Sequence, residues 1–403
     1  MTQLSASEAG PLDTETPASV EPDAQGTSGA LPPPGLFLMI DSLQTGGSER
    51  QFVALKRSID QKRFRVSLGC IQAKGAFLED LNVTPFPLGG SLYGLRSWKT
   101  RVNLGRHLRR HEIAIAHAFD FYTNLTLVPA ARLARVPVVI GSQRQLGDLL
   151  TPMQSRAQTF MFRRCDAVVC NSGAAAKRLI NDGVAEDKIT VIWNGLPVEA
   201  FTPTVPALPR RLGLRRVGMI ARMNSRAKNH SLFLRAIARM CDITQVEFVV
   251  VGDGPLRPEL EREAVDLGLA GRVSFLGDRR DIPAILASLD LTVLSSDSES
   301  LSNAVIESMA AGVPVIATNV GANAELLTKD RGIVVPVGDE NALALAMEHL
   351  LKQGNLRVQI GEAGRSFALD NFTVEQMRRR YEDLYTKLLD RKTDPACSQK
   401  LKN

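Results

Sequence analysis

The sequence predicts an α/β protein built as two Rossmann-like domains facing each other across a cleft. Three observations predict it. Short apolar runs alternate with helical stretches along most of the chain, the pattern of parallel strands joined by right-handed crossovers. One Pro-rich stretch interrupts the alternation near the middle. The 403 residues, 44% of them hydrophobic, suffice for two cores. With 23% charged residues, the composition excludes a disordered, collagen-like or disulfide-stapled chain.

Residues 1–34 are rich in Ser, Thr, Pro, Ala and Gly, carry Glu8, Asp13, Glu15, Glu21 and Asp23, and lack Lys and Arg. Such a segment buries too little apolar surface to offset its ordering entropy and reads as a disordered tail. The first domain, 35–200, opens on the apolar run from Gly35 to Ile40, a buried strand. A helix over 49–60 and a strand over 65–70 follow. Then come helix 104–111, strand 113–117, helix 123–134, strand 136–140, helix 152–164, strand 167–170, helix 173–182 and strand 189–192. Asn194-Gly195-Leu196-Pro197 and then Pro203, Pro206 and Pro209 mark the break, with 201–212 read as the interdomain linker.

The second domain, 213–372, repeats the pattern. Strands fall at 216–220, 247–251, 273–275, 291–294, 313–317 and 333–335. Helices fall at 230–240, 258–267, 282–288, 303–311, 341–353 and 356–370. An amphipathic helix within 373–392 closes the fold, with Phe372, Met377, Tyr381, Leu384 and Leu388 at helical spacing; 393–403 is a polar, disordered end.

The net charge is +6, and without the five acidic residues of the tail the remainder stands near +11. A basic excess suits anionic partners such as phosphate-bearing substrates, nucleic acid or an anionic membrane surface. Aromatic residues make up only 5%, too few for base-stacking platforms, which counts against nucleic acid. The five cysteines (Cys70, Cys165, Cys170, Cys241, Cys397) form no CxxC pair and read as reduced thiols. With no apolar stretch of membrane-spanning length and no signal-peptide pattern, the expectation is a cytoplasmic protein.

The stretch from Ser298 to Gly312 is the most informative. Glu299 and Glu307 straddle the junction where a buried strand passes through a polar loop into a helix. In open α/β sheets ligands bind at the carboxyl ends of strands, beside helix N-termini. Free N–H groups near Leu301, Ser302 and Asn303 would meet a phosphate there. Gly46 and Gly47 join the first strand to the first helix, a loop that lets backbone approach a ligand closely. His117 ends a buried strand; a lone histidine in that place is more often a satisfied core residue than a catalytic one.

Glu299, Glu307 and the following Ala311-Gly312-Val313-Pro314 resemble the E-x7-E signature of glycosyltransferase family 4, the retaining nucleotide-sugar transferases of GT-B fold. Val217-Gly218-Met219-Ile220-Ala221-Arg222 with Lys228-Asn229-His230, Gly252-Asp253-Gly254 and the Gly46-Gly47-Ser48-Glu49 loop are similar to that family at matching order and distance. The resemblance covers residues 36–390 and implies a GT-B fold whose C-terminal helix crosses back onto the first domain. It implies transfer of a sugar from a nucleotide-diphosphate donor to a glycan or lipid-linked acceptor, without cofactor or metal. It assigns His117, Glu299, Arg222 and Lys228 to catalysis, with the two cations on the donor diphosphate. It assigns Gly46, Gly47, Asp253 and Glu307 to donor binding, Glu307 on the ribose hydroxyls, and Ser300, Leu301, Ser302 and Asn303 join them as the loop and helix N-terminus offered to the phosphates. Val320-Gly321-Ala322-Asn323-Ala324-Glu325 departs from the family's Gly-Gly-x-x-Glu pattern at Ala322, and Glu325 reads as structural. A GT-B epimerase and a non-catalytic nucleotide-sugar-binding protein are the alternatives.

Between Arg96 and Arg110, Lys99, Arg101, Arg106 and Arg109 are interleaved with Trp98, Val102 and Leu108. Basic residues beside a Trp make a candidate surface for anionic lipid headgroups, which would place the protein at the inner face of the cytoplasmic membrane.

Overall fold

A computed structural model describes residues 32–393 except 80, 91, 93, 149 and 241–244. The tails expected at 1–34 and 393–403, together with Cys241 and Cys397, lie almost wholly outside the described residues.

In the first half, β1 (Gly35–Ile40), α1 (Gly47–Ser58), β2 (Arg65–Cys70), β3 (Thr84–Pro85), α2 (Leu95–Arg110) and β4 (Ile113–Ala118) come first. Next are α3 (Phe121–Leu133), β5 (Val138–Gln143), α4 (Pro152–Arg163), β6 (Ala167–Cys170), α5 (Gly173–Asn181) and β7 (Ile189–Val191). The second half begins with β8 (Arg215–Ile220), α6 (His230–Arg239), β9 (Val246–Val251), α7 (Arg257–Asp266), β10 (Val273–Phe275), α8 (Ile282–Leu286) and β11 (Leu291–Leu294). It continues with α9 (Asn303–Ala310), β12 (Val315–Thr318), α10 (Asn323–Leu327), β13 (Ile333–Val335), α11 (Glu340–Lys352), α12 (Gly354–Asn371) and α13 (Val374–Thr393).

Both sheets are parallel, ordered β3-β2-β1-β4-β5-β6-β7 and β10-β9-β8-β11-β12-β13. The order reverses at β1/β4 and at β8/β11, the switch points where doubly wound sheets open a crevice. Alternation along β1 decides the layers. Phe37 and Met39 join a core with Leu104 of α2, Leu127 of α3, Phe162 of α4 and Leu179 of α5. Leu36, Leu38 and Ile40 face Phe52 of α1 and Met377, Tyr381 and Tyr385 of α13. The helix after the second sheet therefore covers the first. Glu382 of α13 accepts from the Asp60 N–H at 3.0 Å and pairs with Arg63 at 2.7 Å.

Four local features differ from expectation. Helix α2 starts nine residues before position 104. Its first half is mostly basic and polar, so apolar periodicity does not mark it; Arg101 holds it instead, bonded to the carbonyls of Leu92 and Leu125 at 3.1 and 3.3 Å. Strand β5 extends to Gln143 because Ser142 and Gln143, although polar, are buried in the sheet. The short β3 and α10 carry too few residues for a periodic signal. Finally, 201–212 lies along the second half: Phe201 enters its core, and the N–H groups of Ala207 and Leu208 donate to Ala284 and Ser288. The chain crosses at Leu196, which exchanges hydrogen bonds with Phe372 and Val374, so outward and return connections run side by side. In α13, Arg378 pairs with Glu375 and with buried Glu382.

Candidate functional site

The loops after β8 and β11 carry most of the charged candidates. Gly252 and Gly254 adopt φ of 137° and 154°, and a methyl group on either would lie within 2.4 Å of the Ala221–Met223 backbone. Only glycine allows this fit. The turn they form accepts the Met223 N–H through the Asp253 carbonyl at 2.9 Å, which fixes the loop bearing Arg222. Asn229, left-handed at φ 46°, caps α6 and donates to Asp297 at 2.8 Å. Ser295 Oγ donates to the Asn229 carbonyl at 2.8 Å, so the two loops are stitched together.

This stitching sets Lys228 Nζ against Glu299 Oε1, which also accepts from Ser296 Oγ at 3.0 Å. Gly321 holds the Glu299 loop from beneath. At φ 55° a methyl group on it would lie 1.9 Å from the Glu299 carbonyl oxygen, and the Ala322 N–H donates to the Ser300 carbonyl. Gly321→Val is expected to lower stability by more than about 2 kcal/mol, read by urea denaturation.

Across the seam, Arg222 donates to the carbonyl and hydroxyl of Thr45 in the β1–α1 loop. A methyl group on Gly47 would lie 3.1 Å from Asn303 Nδ2, so the N-termini of α1 and α9 abut. Neither N-cap residue caps its helix with a side chain, and at α1 the Glu49 carboxylate turns back onto its own N–H beside Gly46. Two positive helix ends in contact repel one another and attract an anion. Asn303 Oδ1 accepts from Asn194 Nδ2 at 2.7 Å. Glu307, one turn into α9, lies 3.3 Å from Arg50 of α1. Burial raises its carboxyl to about 7, with Arg50 opposing the rise. The folded chain then binds more protons than the unfolded chain between pH 4.5 and about 7, so this group's contribution to stability falls as pH rises through that window. Glu307→Gln is expected to raise the melting temperature at pH 8 and leave it nearly unchanged at pH 4.

Five expected site residues have side chains engaged within the fold. His117 is fully buried between β4 and α13, with Nδ1 2.8 Å from Tyr385 Oη and Nε2 2.8 Å from Ser142 Oγ. Burial, then the charge of Arg144, lowers its pKa to about 3. It is a satisfied core histidine and does not reach the cleft. The alternation of β4 turns it, with Ile115, toward α13. Asp253 shapes its own turn, accepting from the Gly254 N–H at 2.7 Å and Arg257 Nη1 at 3.0 Å. Ser300 Oγ is buried in the seam, donating to Asn171 Oδ1 at 2.6 Å beside Ser172 Oγ at 2.9 Å. Leu301 packs in the core with Leu196 and Phe201, and Ser302 is the buried N-cap residue of α9.

The structure adds residues that sequence reasoning missed. Arg50 faces Glu307. Asp120 caps α3 and accepts the Asp41 N–H at 2.6 Å, tying the β1 loop to the β4 loop; burial raises its carboxyl to about 6. Arg144, directly after β5, donates to Asn194 Oδ1 at 2.5 Å. Position at the carboxyl end of a strand was the available signal for Asp120 and Arg144. Among the described residues, no three of His, Cys, Asp and Glu converge as a metal site would require, and no helix is long and apolar enough to cross a membrane.

Residues 45–200 match the model of Glycosyltransferase Family 4, and residues 215–353 match that of Glycosyl transferases group 1. The lipopolysaccharide core biosynthesis glycosyltransferase LpsE of Rhizobium meliloti (strain 1021) is 33% identical over 248 residues, 60% of this chain and 68% of that protein. The UDP-Gal:alpha-D-GlcNAc-diphosphoundecaprenol alpha-1,3-galactosyltransferase of Escherichia coli is 26% identical over 312 residues, 72% of this chain and 80% of that protein. In fold, the chain is similar to Anabaena HepE solved in complex with UDP and glucose, with a TM-score of 0.76 at 22% identity over 87% of this chain and 99% of that one.

Proposed function

Because the chain belongs to the family 4 glycosyltransferases, we propose that it is a retaining enzyme that moves a sugar from a nucleoside-diphosphate donor to a hydroxyl of a glycan or lipid-linked glycan, in the building of a polysaccharide or glycoconjugate. The observation that carries this reading is the seam itself. Two helix N-termini without N-cap side-chain bonds abut there, flanked by Arg222 and Lys228, with the carboxylates Glu299 and Glu307 beside them. That arrangement suits a diphosphate bracketed by sugar and ribose.

In the proposed reaction the bond from the sugar's anomeric carbon to the diphosphate oxygen breaks. The acceptor hydroxyl attacks the same face, and its proton passes to the departing diphosphate. Charge grows on the diphosphate as the bond lengthens, so fixed cations and N–H dipoles aimed there lower the barrier. Arg222 and Lys228 take this role without a metal ion. Glu299 lies beside the donor sugar, positioned by Lys228 and Ser296. Glu307 accepts hydrogen bonds from the ribose hydroxyls. The names of the relatives above support glycan or lipid-linked acceptors.

Thermal shift of the full chain with UDP, GDP, ADP and their sugar conjugates tests the binding step. One nucleotide series at a hundredfold its Kd should stabilise the fold by about 2.7 kcal/mol. No stabilisation by any member would overturn the reading.

We also propose peripheral contact with an anionic membrane through α2. Its Leu95 and Trp98 are 90% and 67% exposed, beside exposed Arg96 and Lys99. Arg109 is occupied by the carbonyls of Leu133 and Ala134, whereas Arg106, bonded among the described residues only to Asn103 of its own helix at 3.3 Å, and Arg110 are exposed basic positions of the last turns. Wild type is expected to float with phosphatidylglycerol vesicles at low salt, and a K99E/R106E/R110E variant to remain behind. Equal flotation would remove the proposal.

A further inference from the structure

Arg144 stands at the carboxyl end of β5, in the first half's share of the cleft, and the donor chemistry above does not use it. Its surroundings are unusual for a half-buried arginine. Nη2 donates to Asn194 Oδ1, Nη1 lies 3.4 Å from Tyr381 Oη, and the guanidinium sits 5.5 Å from the centroid of the Phe119 ring. All three partners are uncharged. Among the described residues Arg144 makes no ion pair, and its Nε–H is buried without a hydrogen-bond partner. An unsatisfied donor on a charged group is costly, and a fold that merely needed a bridge between Asn194 and Tyr381 would not need a permanent cation.

Neighbouring loops hold the group in place. The Arg144 carbonyl accepts from Asn171 Nδ2 at 3.3 Å, and Gln143 at the end of β5 is clamped by Gln158 and by its own bond to the Gln145 carbonyl. Through Asn194 the guanidinium is one residue removed from Asn303 at the α9 N-terminus. Glu49 is the carboxylate near enough to feel its charge, yet the guanidinium's direct contacts are all neutral, and a planar, pre-positioned fork of that kind can take an oxoanion in bidentate fashion.

We propose that Arg144 is an acceptor-recognition residue, binding an oxoanion, phosphoryl or carboxylate, carried by the acceptor near its reacting hydroxyl. The inference rests on the glycosyltransferase reading and narrows its acceptor to an anionic one.

The test uses the full chain saturated with whichever nucleoside diphosphate binds it best, so that the donor phosphate site is filled. Titration calorimetry with inorganic phosphate should show one saturable site in wild type. That affinity should fall about tenfold to a hundredfold in R144Q and recover in part in R144K, with nucleotide affinity within about twofold throughout. N-acetylglucosamine 1-phosphate and L-malate are then added as competitors. Displacement by the first alone identifies a phosphoryl-bearing acceptor, and displacement by the second alone a carboxylate-bearing one. Absence of phosphate binding to nucleotide-saturated wild type, unchanged binding in R144Q, or a parallel loss of nucleotide affinity would overturn the proposal. Failure of every nucleotide to bind would instead strike the function reading itself.

Discussion

Lys228→Met is expected to lower sugar transfer about 10²- to 10³-fold while the chain stays folded. The Nζ of Lys228 lies on Glu299 Oε1, and the side chain is 29% exposed at the seam. It carries little of the core, so its removal should be read in the chemistry. Deleting one fixed group that stabilises charge developing in a transition state costs about 2.7–4 kcal/mol. Glu299 would keep its bond from Ser296 but lose the cation that orients it. Nucleoside-diphosphate affinity should fall much less than kcat, because Arg222 and the two helix ends remain. Lys228→Arg should restore part of the rate. Equal losses in nucleotide affinity and in kcat/KM would mean that the lysine only binds the ground state.

His117→Ala should destabilise the protein by about 2–4 kcal/mol. Both ring nitrogens of His117 are engaged, one with Tyr385 of the returning helix and one with Ser142. Truncation leaves a cavity and two buried hydroxyls without this partner. The pH dependence follows from its pKa of about 3 in the fold. Between pH 6.5 and about 3 the unfolded chain binds a proton that the folded chain refuses, so stability falls as pH falls through that window. The variant should lose less stability than wild type between pH 7.5 and 5, measured by urea denaturation at each pH. Transfer by the folded variant, assayed well below its melting point, should stay within a few-fold of wild type. A hundredfold fall in kcat with an unchanged fold would return the histidine to the chemistry.

The two results draw on different parts of what the sequence shows. Strand and helix alternation was legible almost throughout because parallel sheets buried on both faces need continuous apolar strands, and helices between them need one apolar stripe. The second-domain loops were legible too, since they are short and local: Lys228 lies on Glu299, while Arg222 and Glu307 reach Thr45 and Arg50 of the first half. The first-domain contribution was not. His117 lies on a strand whose alternation turns it toward α13, and nothing within residues 113–120 shows that a helix 268 positions later supplies its partner. Ser300 is similar: its hydroxyl is taken by Asn171 and Ser172, contacts that exist only once the halves are joined. Arg50, Asp120 and Arg144 belong to no spacing pattern: Arg50 gains meaning from the contact of α1 with Glu307, and Asp120 and Arg144 from the strand ends after which they sit. The start of α2 was hidden because its first two turns are held by arginine bonds to carbonyls, which leave no periodic trace.

The central claim is that this seam breaks the bond between a sugar and a nucleoside diphosphate and passes the sugar on. Nucleotide release from UDP-, GDP- and ADP-sugars, followed by chromatography in EDTA with wild type and Glu299→Gln side by side, tests it most directly. The account predicts that one donor series is turned over by wild type without metal, at a rate at least about a hundredfold above that of Glu299→Gln. Release of no nucleotide from any donor, or equal release by the two proteins, would contradict it.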